Sequence, residues 1–322
     1  MTDQTKLEEK SRVDKTEPDR DPKVSASDRR NTSQAITAGL QYLLSQRRGR
    51  HWGPFGGEQQ VTACVLARLG ELPSQYLSHS LRQQVLESVD WLSRVRTPDG
   101  GWGSPNGDDA ESTAWALLAL RRHSYAIPEE ALNLMRRCRR MDGGFAHSPK
   151  TDREELGAPE VTALAARALG TMDSATEDFL TSFLYGAASG ITLRPASAFS
   201  VCAEILDCET GIASPFLLNQ SARVVAQLGR SNDEPLQQAL LLRCLVRLRD
   251  QKAWPLAANL RAMQTEDGSW QARSHSHDGH WHAGDKSMIT TATAVSALVL
   301  ADFQPGLYFG SDLPLPRRLQ ES

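Results

Sequence analysis

From about residue 33 to residue 303, two kinds of apolar pattern alternate along the chain. The first is amphipathic. QQVLESVDWLSRV (83–95) and EEALNLMRRC (129–138) repeat apolar residues every three or four positions and charge the opposite side, as a helix lying on a core does. The second is apolar on almost every side, in VTACVLARL (61–69), STAWALLAL (112–120), VTALAARAL (161–169) and TTATAVSAL (290–298). Looser copies are ASAFSVCAE (196–204) and QQALLLRCL (237–245). A helix lacking a polar face is expected to be buried all round. The shared alanines, Ala63, Ala114, Ala163, Ala198, Ala239 and Ala292, lie 51, 49, 35, 41 and 53 residues apart. Each interval has room for two helices. The pattern predicts an all-α fold, an (α/α)6 toroid of six helical hairpins, with amphipathic helices outside and apolar helices around an axial cavity. Spacing alone leaves an open solenoid as the alternative.

A second phrase recurs between outer and inner helix: TPDGGWG (97–103), RMDGGFA (140–146), TEDGSWQ (265–271) and, more weakly, GRHWG (49–53). Glycine suits a left-handed residue after a helix end. The aromatics that follow, Trp52, Trp102, Phe145 and Trp270, are expected to be staples that pin each turn rather than a ligand site.

Composition narrows the partners. A net charge of −3 gives no basic excess for nucleic acid. Five cysteines without a CxxC pair, three of them in apolar helical runs, read as reduced thiols of a cytoplasmic protein. No run is apolar and long enough to span a bilayer, which leaves peripheral membrane contact open. The charged start of the chain resembles no signal peptide and predicts a disordered tail over 1–32. The toroid follows over 33–303, then a tail over 304–322 that packs on the barrel or is disordered.

The candidate chemistry opens one inner helix. Asp108-Asp-Ala-Glu111 fits a capping box, with an acidic N-cap and Glu three residues on. Gln60 and Glu160 hold the equivalent of Glu111 in neighbouring units. Capping alone and capping combined with function both remain open at this point. RSHSHDGHWHAGDK (273–286) is read as an extended turn of the last unit. It gathers His275, His277, His280 and His282, weak metal candidates whose spacing matches no closed site. No phosphate-cradling loop, dinucleotide fingerprint or serine-hydrolase elbow occurs.

Gln264-Thr-Glu-Asp-Gly268-Ser-Trp270 resembles the Q-x3-G-x-W (QW) repeat of squalene–hopene cyclases and related terpene cyclases, with weaker copies at Arg96…Gly100-x-Trp102 and Gln46…Trp52. Asp142-Gly-Gly-Phe145 is similar to the turns of protein prenyltransferase β subunits, which share the six-hairpin toroid. The resemblance covers about 33–303. In class II terpene cyclases a D-x-D-D-T-A motif supplies a proton that starts a carbocation cascade. The matching positions here are Asp109, Ala110, Glu111, Ser112, Thr113 and Ala114. The resemblance thus implies Glu111 as donor, Asp109 as its partner, and Ser112 in place of the last aspartate. The prenyltransferases place a zinc-binding Asp-x-Cys pair in this region. Asp109-Ala-Glu111 lacks the thiolate, which disfavours zinc.

The function implied is that of a terpene-cyclase-like enzyme, an isomerase or lyase, moving a proton from a carboxylic acid to an isoprenoid or other small apolar substrate without a cofactor. A prenyl-binding or prenyl-transferring protein and a non-catalytic interaction scaffold are the alternatives. Trp115 and Phe199, the aromatics on inner helices, are candidates to face a cationic carbon, and Glu160 is a candidate wall residue. A diphosphate substrate would call for Lys150, Arg153, Arg273 and Lys286, and for magnesium or zinc.

Overall fold

The structure is a computed structural model that describes residues 26–54, 56–104, 107–150, 156–189, 195–228, 234–272 and 283–303. Twelve α-helices account for most of them. The outer helices are α1 (Ala26–Ser45), α3 (His79–Arg94), α5 (Glu129–Cys138), α7 (Ser174–Ala188), α9 (Pro215–Leu228) and α11 (Ala253–Ala262). The inner helices are α2 (Glu58–Leu69), α4 (Ala110–Arg122), α6 (Pro159–Leu169), α8 (Pro195–Leu206), α10 (Pro235–Arg247) and α12 (Ala283–Phe303). A pair of two-residue strands, β1 (Gly103–Ser104) and β2 (Gly107–Asp108), precedes α4.

Each inner helix packs on the next, and α12 packs on α2. The ring is therefore closed, which excludes the open solenoid. Closure is sealed outside as well. Gly268, in the last turn, sits so close to α1 that a Cβ there would lie 2.4 Å from the Ala38 carbonyl oxygen. Gln264 donates to the Ala35 carbonyl at 2.9 Å, and Arg261 to the Asp28 carbonyl at 2.8 Å. These last contacts explain one difference from expectation. The stretch 26–32, read as tail, is the first part of α1, because Asp28 and Thr32 are tied to Arg261. Residues 1–25 and 304–322 lie outside the described residues. In the last unit α12 begins at Ala283, so 283–286 is helix rather than turn.

The turn aromatics are staples. The Thr of each Thr-Ala pair accepts the backbone N–H of its aromatic: Thr62 from Trp52 at 2.8 Å, Thr113 from Trp102 at 3.1 Å, Thr162 from Phe145 at 2.8 Å and Thr291 from Trp270 at 3.0 Å. The indoles of Trp52, Trp102 and Trp270 donate to carbonyls of Leu43, Leu92 and Leu260 near the ends of their outer helices. All three are fully buried. A single aromatic thus joins outer helix, turn and inner helix within one hairpin. The left-handed glycines do the rest: at Gly143 (φ 86°) a Cβ would lie 2.2 Å from the Ala175 oxygen of the next outer helix.

The inner helices depart from the expectation of being apolar all round. Arg68, Arg167, Glu204 and Arg243 are buried within them. With Glu71, Arg122, Asp207 and Arg247 they form one cluster across the axis. Glu71 lies 3.0 Å from Arg68, 2.9 Å from Arg167 and 2.7 Å from Arg243, and also pairs with Arg122. Glu204 joins Arg68 at 2.8 Å and Arg167; Asp207 joins Arg243, and Arg247 at 2.7 Å. Burial pushes the Glu71 carboxyl up, but Arg243, Arg68, Arg122 and Arg167 together hold it well below the usual carboxylate range.

Five arginines face three carboxylates, an excess of two positive charges. The surplus has a physical home. The inner helices run the same way, and α2, α4, α6, α8 and α10 end here, each with roughly half a negative charge at its C-terminus. Arg122 donates directly to the Ala67 carbonyl at 2.8 Å.

Two stability outcomes follow, both readable by denaturant unfolding. Thr113→Val keeps the side-chain shape but strands the buried Trp102 N–H, and should cost about 1–3 kcal/mol. Arg243→Met leaves Asp207 and Glu71 short of a partner, and should cost about 3–5 kcal/mol.

Candidate active site

Helical spacing sorts the axis-facing side chains into layers. On α4 the stripe is Glu111, Trp115, Leu118 and Arg122, and on α2 it is Gln60, Cys64 and Arg68. Glu160, Leu164 and Arg167 continue it on α6, as do Leu236, Leu240 and Arg243 on α10 and Ile289, Thr293 and Ser296 on α12. The C-terminal layer is sealed by the ion cluster: Arg68, Leu118, Arg167, Glu204, Arg243 and Ser296 are all buried. At the turn end the corresponding residues, Gln60, Glu111, Glu160, Ser197, Leu236 and Ile289, are all partly accessible. Between them Trp115 and Ser200 keep accessible surface, while Cys64, Leu164, Leu240 and Thr293 are buried. The axis is therefore a well, open towards the turns and floored by charge. Cys64, Trp115, Leu164, Leu236, Leu240 and Ile289 are the apolar part of its wall, and Gln60, Glu160, Ser197, Ser200 and Thr293 the polar part.

Asp109 and Glu111 stand at the mouth of this well on α4. Asp109 is extended (φ −123°, ψ 125°) and is the N-cap; its carboxylate accepts the Glu111 N–H at 2.8 Å. The capping box read from Asp108 does not form. The helix starts one residue later, so Glu111 occupies the second helical position and its side chain is free to turn to the axis. The Asp108 side chain lies outside the described residues. Two carbonyls fix the start of α4: Asp109 N–H donates to Trp102 at 3.1 Å and Ala110 N–H to His147 at 2.8 Å.

The surroundings push the Glu111 carboxyl from 4.5 up to about 8. Burial is the largest cause, and the Asp109 charge is the next; Glu160 and Glu204 add to it, while Trp115 opposes it through a hydrogen bond. Burial also raises Asp109, against the Glu111 N–H and the charge of His147. Asp109 has more anion-stabilising partners than Glu111, so the shared proton rests on Glu111. Ser112 is buried beside Asp109 and lowers that carboxyl's pKa.

Of the residues singled out from sequence, Asp109, Glu111, Ser112, Trp115 and Glu160 come together at the well. Phe199 does not join them. It is 1% exposed, one position off the axis-facing stripe of α8, and packs in the wall between helices. Lys150 is on the exposed outer rim, 3.8 Å from Asp99. Arg153, Arg273, His275, His277, His280 and His282 lie outside the described residues, as does the side chain of Lys286. Among the described residues no three His, Cys, Asp or Glu side chains gather as a metal site. One face of Trp115 is already occupied: the Arg68 guanidinium lies 4.8 Å from its ring centre.

The charged floor escaped the sequence reading. Its signal was present as single arginines in otherwise apolar helices, at Arg68, Arg167 and Arg243, which a buried helix holds only if they are paired.

No family model and no curated protein matches the chain. Among solved structures it is similar to a variant of the type II terpene cyclase MstE from Scytonema in complex with its product, merosterolic acid A. The TM-score is 0.52 at 20% identity, over 85% of this chain and 98% of that one. The likeness establishes a terpene-cyclase-like toroid. No described helix is long and apolar enough to cross a membrane.

The raised carboxyl has a consequence for stability. Between pH 4.5 and about 8 the folded chain holds a proton on Glu111 that the unfolded chain has released. Its contribution is therefore full at the acid end and lost as pH rises through 8. Glu111→Gln removes this dependence. The variant should gain stability over the parent steadily from about pH 5 to about pH 8 and level off above, as read by urea unfolding across that range. A constant difference would contradict the raised pKa.

Proposed function

We propose that the chain is an acid-initiated isomerase or cyclase of a small apolar, isoprenoid-like substrate, with Glu111 as the proton donor. One feature carries this reading: a carboxylic acid whose surroundings raise it to about 8, placed at the mouth of the axial well beside Asp109 and Trp115. The likeness in fold to a type II terpene cyclase holding its product supports it.

In the reaction the Glu111 O–H gives its proton to one carbon of a substrate double bond. The π pair becomes the new C–H bond and the other carbon becomes cationic. A second double bond closes on that carbon, and loss of a proton to the Glu111 carboxylate restores the acid. Asp109, anionic and bonded to the Glu111 N–H, keeps the Glu111 proton from leaving as pH rises. Ser112 is the group available to orient Asp109. Trp115 offers its face not covered by Arg68 to the cation. The charged floor shortens the well, which favours a short chain over a long polyene.

A non-catalytic scaffold is the second reading, and the capping bond made by Asp109 is what favours it. Incubation with farnesyl and geranylgeranyl diphosphates, with products followed by mass spectrometry, separates the two. The parent should form cyclised product, and Glu111→Gln should reduce turnover by roughly 10²–10⁴ while remaining folded. Equal turnover by parent and variant, or none by either, would favour the scaffold.

A further inference from the structure

Trp115 is unlike the tryptophans of the turns. Trp52, Trp102 and Trp270 are fully buried, and their indoles donate to carbonyls near the ends of outer helices. Trp115 keeps accessible surface in the well and stands four residues after Glu111 on the axis-facing stripe of α4. Side chains on a helix lean towards its N-terminus, so each covers the turn before its own. The Trp115 indole therefore leans back over Glu111 and the mouth of the well. It is backed from below by the Arg68 guanidinium, 4.8 Å from the ring centre. Arg68 is held in turn by Glu71 at 3.0 Å and Glu204 at 2.8 Å. The ring is thus clamped between the ion cluster and the acid.

We propose that Trp115 is a positioning residue for Glu111: its indole N–H holds one carboxyl oxygen, so that the acidic proton sits on the other. A neutral carboxyl has one oxygen that carries the hydrogen and one that only accepts. A fixed donor takes the accepting oxygen, and the proton is then presented in one direction instead of two. When the proton leaves, the same N–H meets the carboxylate charge that remains. The other titratable groups around Glu111 are Asp109 on α4, Glu160 on α6 and Glu204 on α8, whose charges push its carboxyl up, and the Cys64 thiol on α2. Trp115 acts against them and holds the carboxyl down through its hydrogen bond. The chemical meaning of this inference rests on the proton-transfer reading, but its test needs no turnover.

NMR of the full chain labelled at the indole nitrogens and at the glutamate carboxyls tests it, with the Trp115 signal assigned by its absence in Trp115→Phe. In the parent the Trp115 indole N–H signal should shift with the same midpoint as Glu111, near 8, and should stop doing so in Glu111→Gln. Phenylalanine keeps an aromatic face and removes the donor, so Trp115→Phe should raise the Glu111 midpoint by about one pH unit. The sign is diagnostic, because a smaller side chain that merely admits water would lower the midpoint. An indole signal that ignores the Glu111 titration, or a Trp115→Phe midpoint at or below the parent's, would each overturn the proposal. An indole that follows Glu111 while parent and Glu111→Gln turn over equally would uphold it and remove the proton-transfer reading alone.

Discussion

Parallel inner helices impose one electrostatic constraint on the whole barrel. Five C-termini, those of α2, α4, α6, α8 and α10, converge on one end of the axis, and their partial negative charges must be met there. The arginines of α2, α4, α6 and α10 meet them, and Glu71, Glu204 and Asp207 in turn neutralise most of the arginines. Because each carboxylate serves several guanidinium groups, the cluster binds five of the six inner helices, and Ser296 brings in the sixth through Glu71. The closed ring and the closed lower axis are thus the same feature.

The open end is the complement of this arrangement. Helix N-termini converge there, and each would favour an ionised carboxylate. Asp109 takes that role as an N-cap. Glu111, inside the first turn of α4, faces the well, where loss of water and the neighbouring negative charges outweigh the dipole. Two carboxyls on one short segment are driven to opposite states by what each of them touches.

The fold was largely legible because its signals repeat. A Thr-Ala pair, a glycine turn and an aromatic recur in register, and the structure gives each the same bond, from the aromatic's backbone N–H to the threonine hydroxyl. The site was legible only at α4, where the motif has a local sequence. The start of that helix was misplaced by one residue, since Asp108 and Asp109 are equivalent caps by composition and only the bonds to Trp102 and His147 choose between them. Phe199 shows the same limit: inner helix was readable, but which side of the helix met the axis was not. The charged floor draws its members from residues as distant as Glu71 and Arg243, which no local pattern connects.

Proton transfer in the well requires that Glu111 carry a proton in the folded chain near neutral pH. Titration of side-chain carboxyl signals by NMR on protein with ¹³C-labelled glutamate, assigned by comparison with Glu111→Gln, measures this directly. One glutamate signal should titrate with a midpoint near 8 and vanish in the variant. A Glu111 signal that titrates at the ordinary value near 4.5 would contradict it.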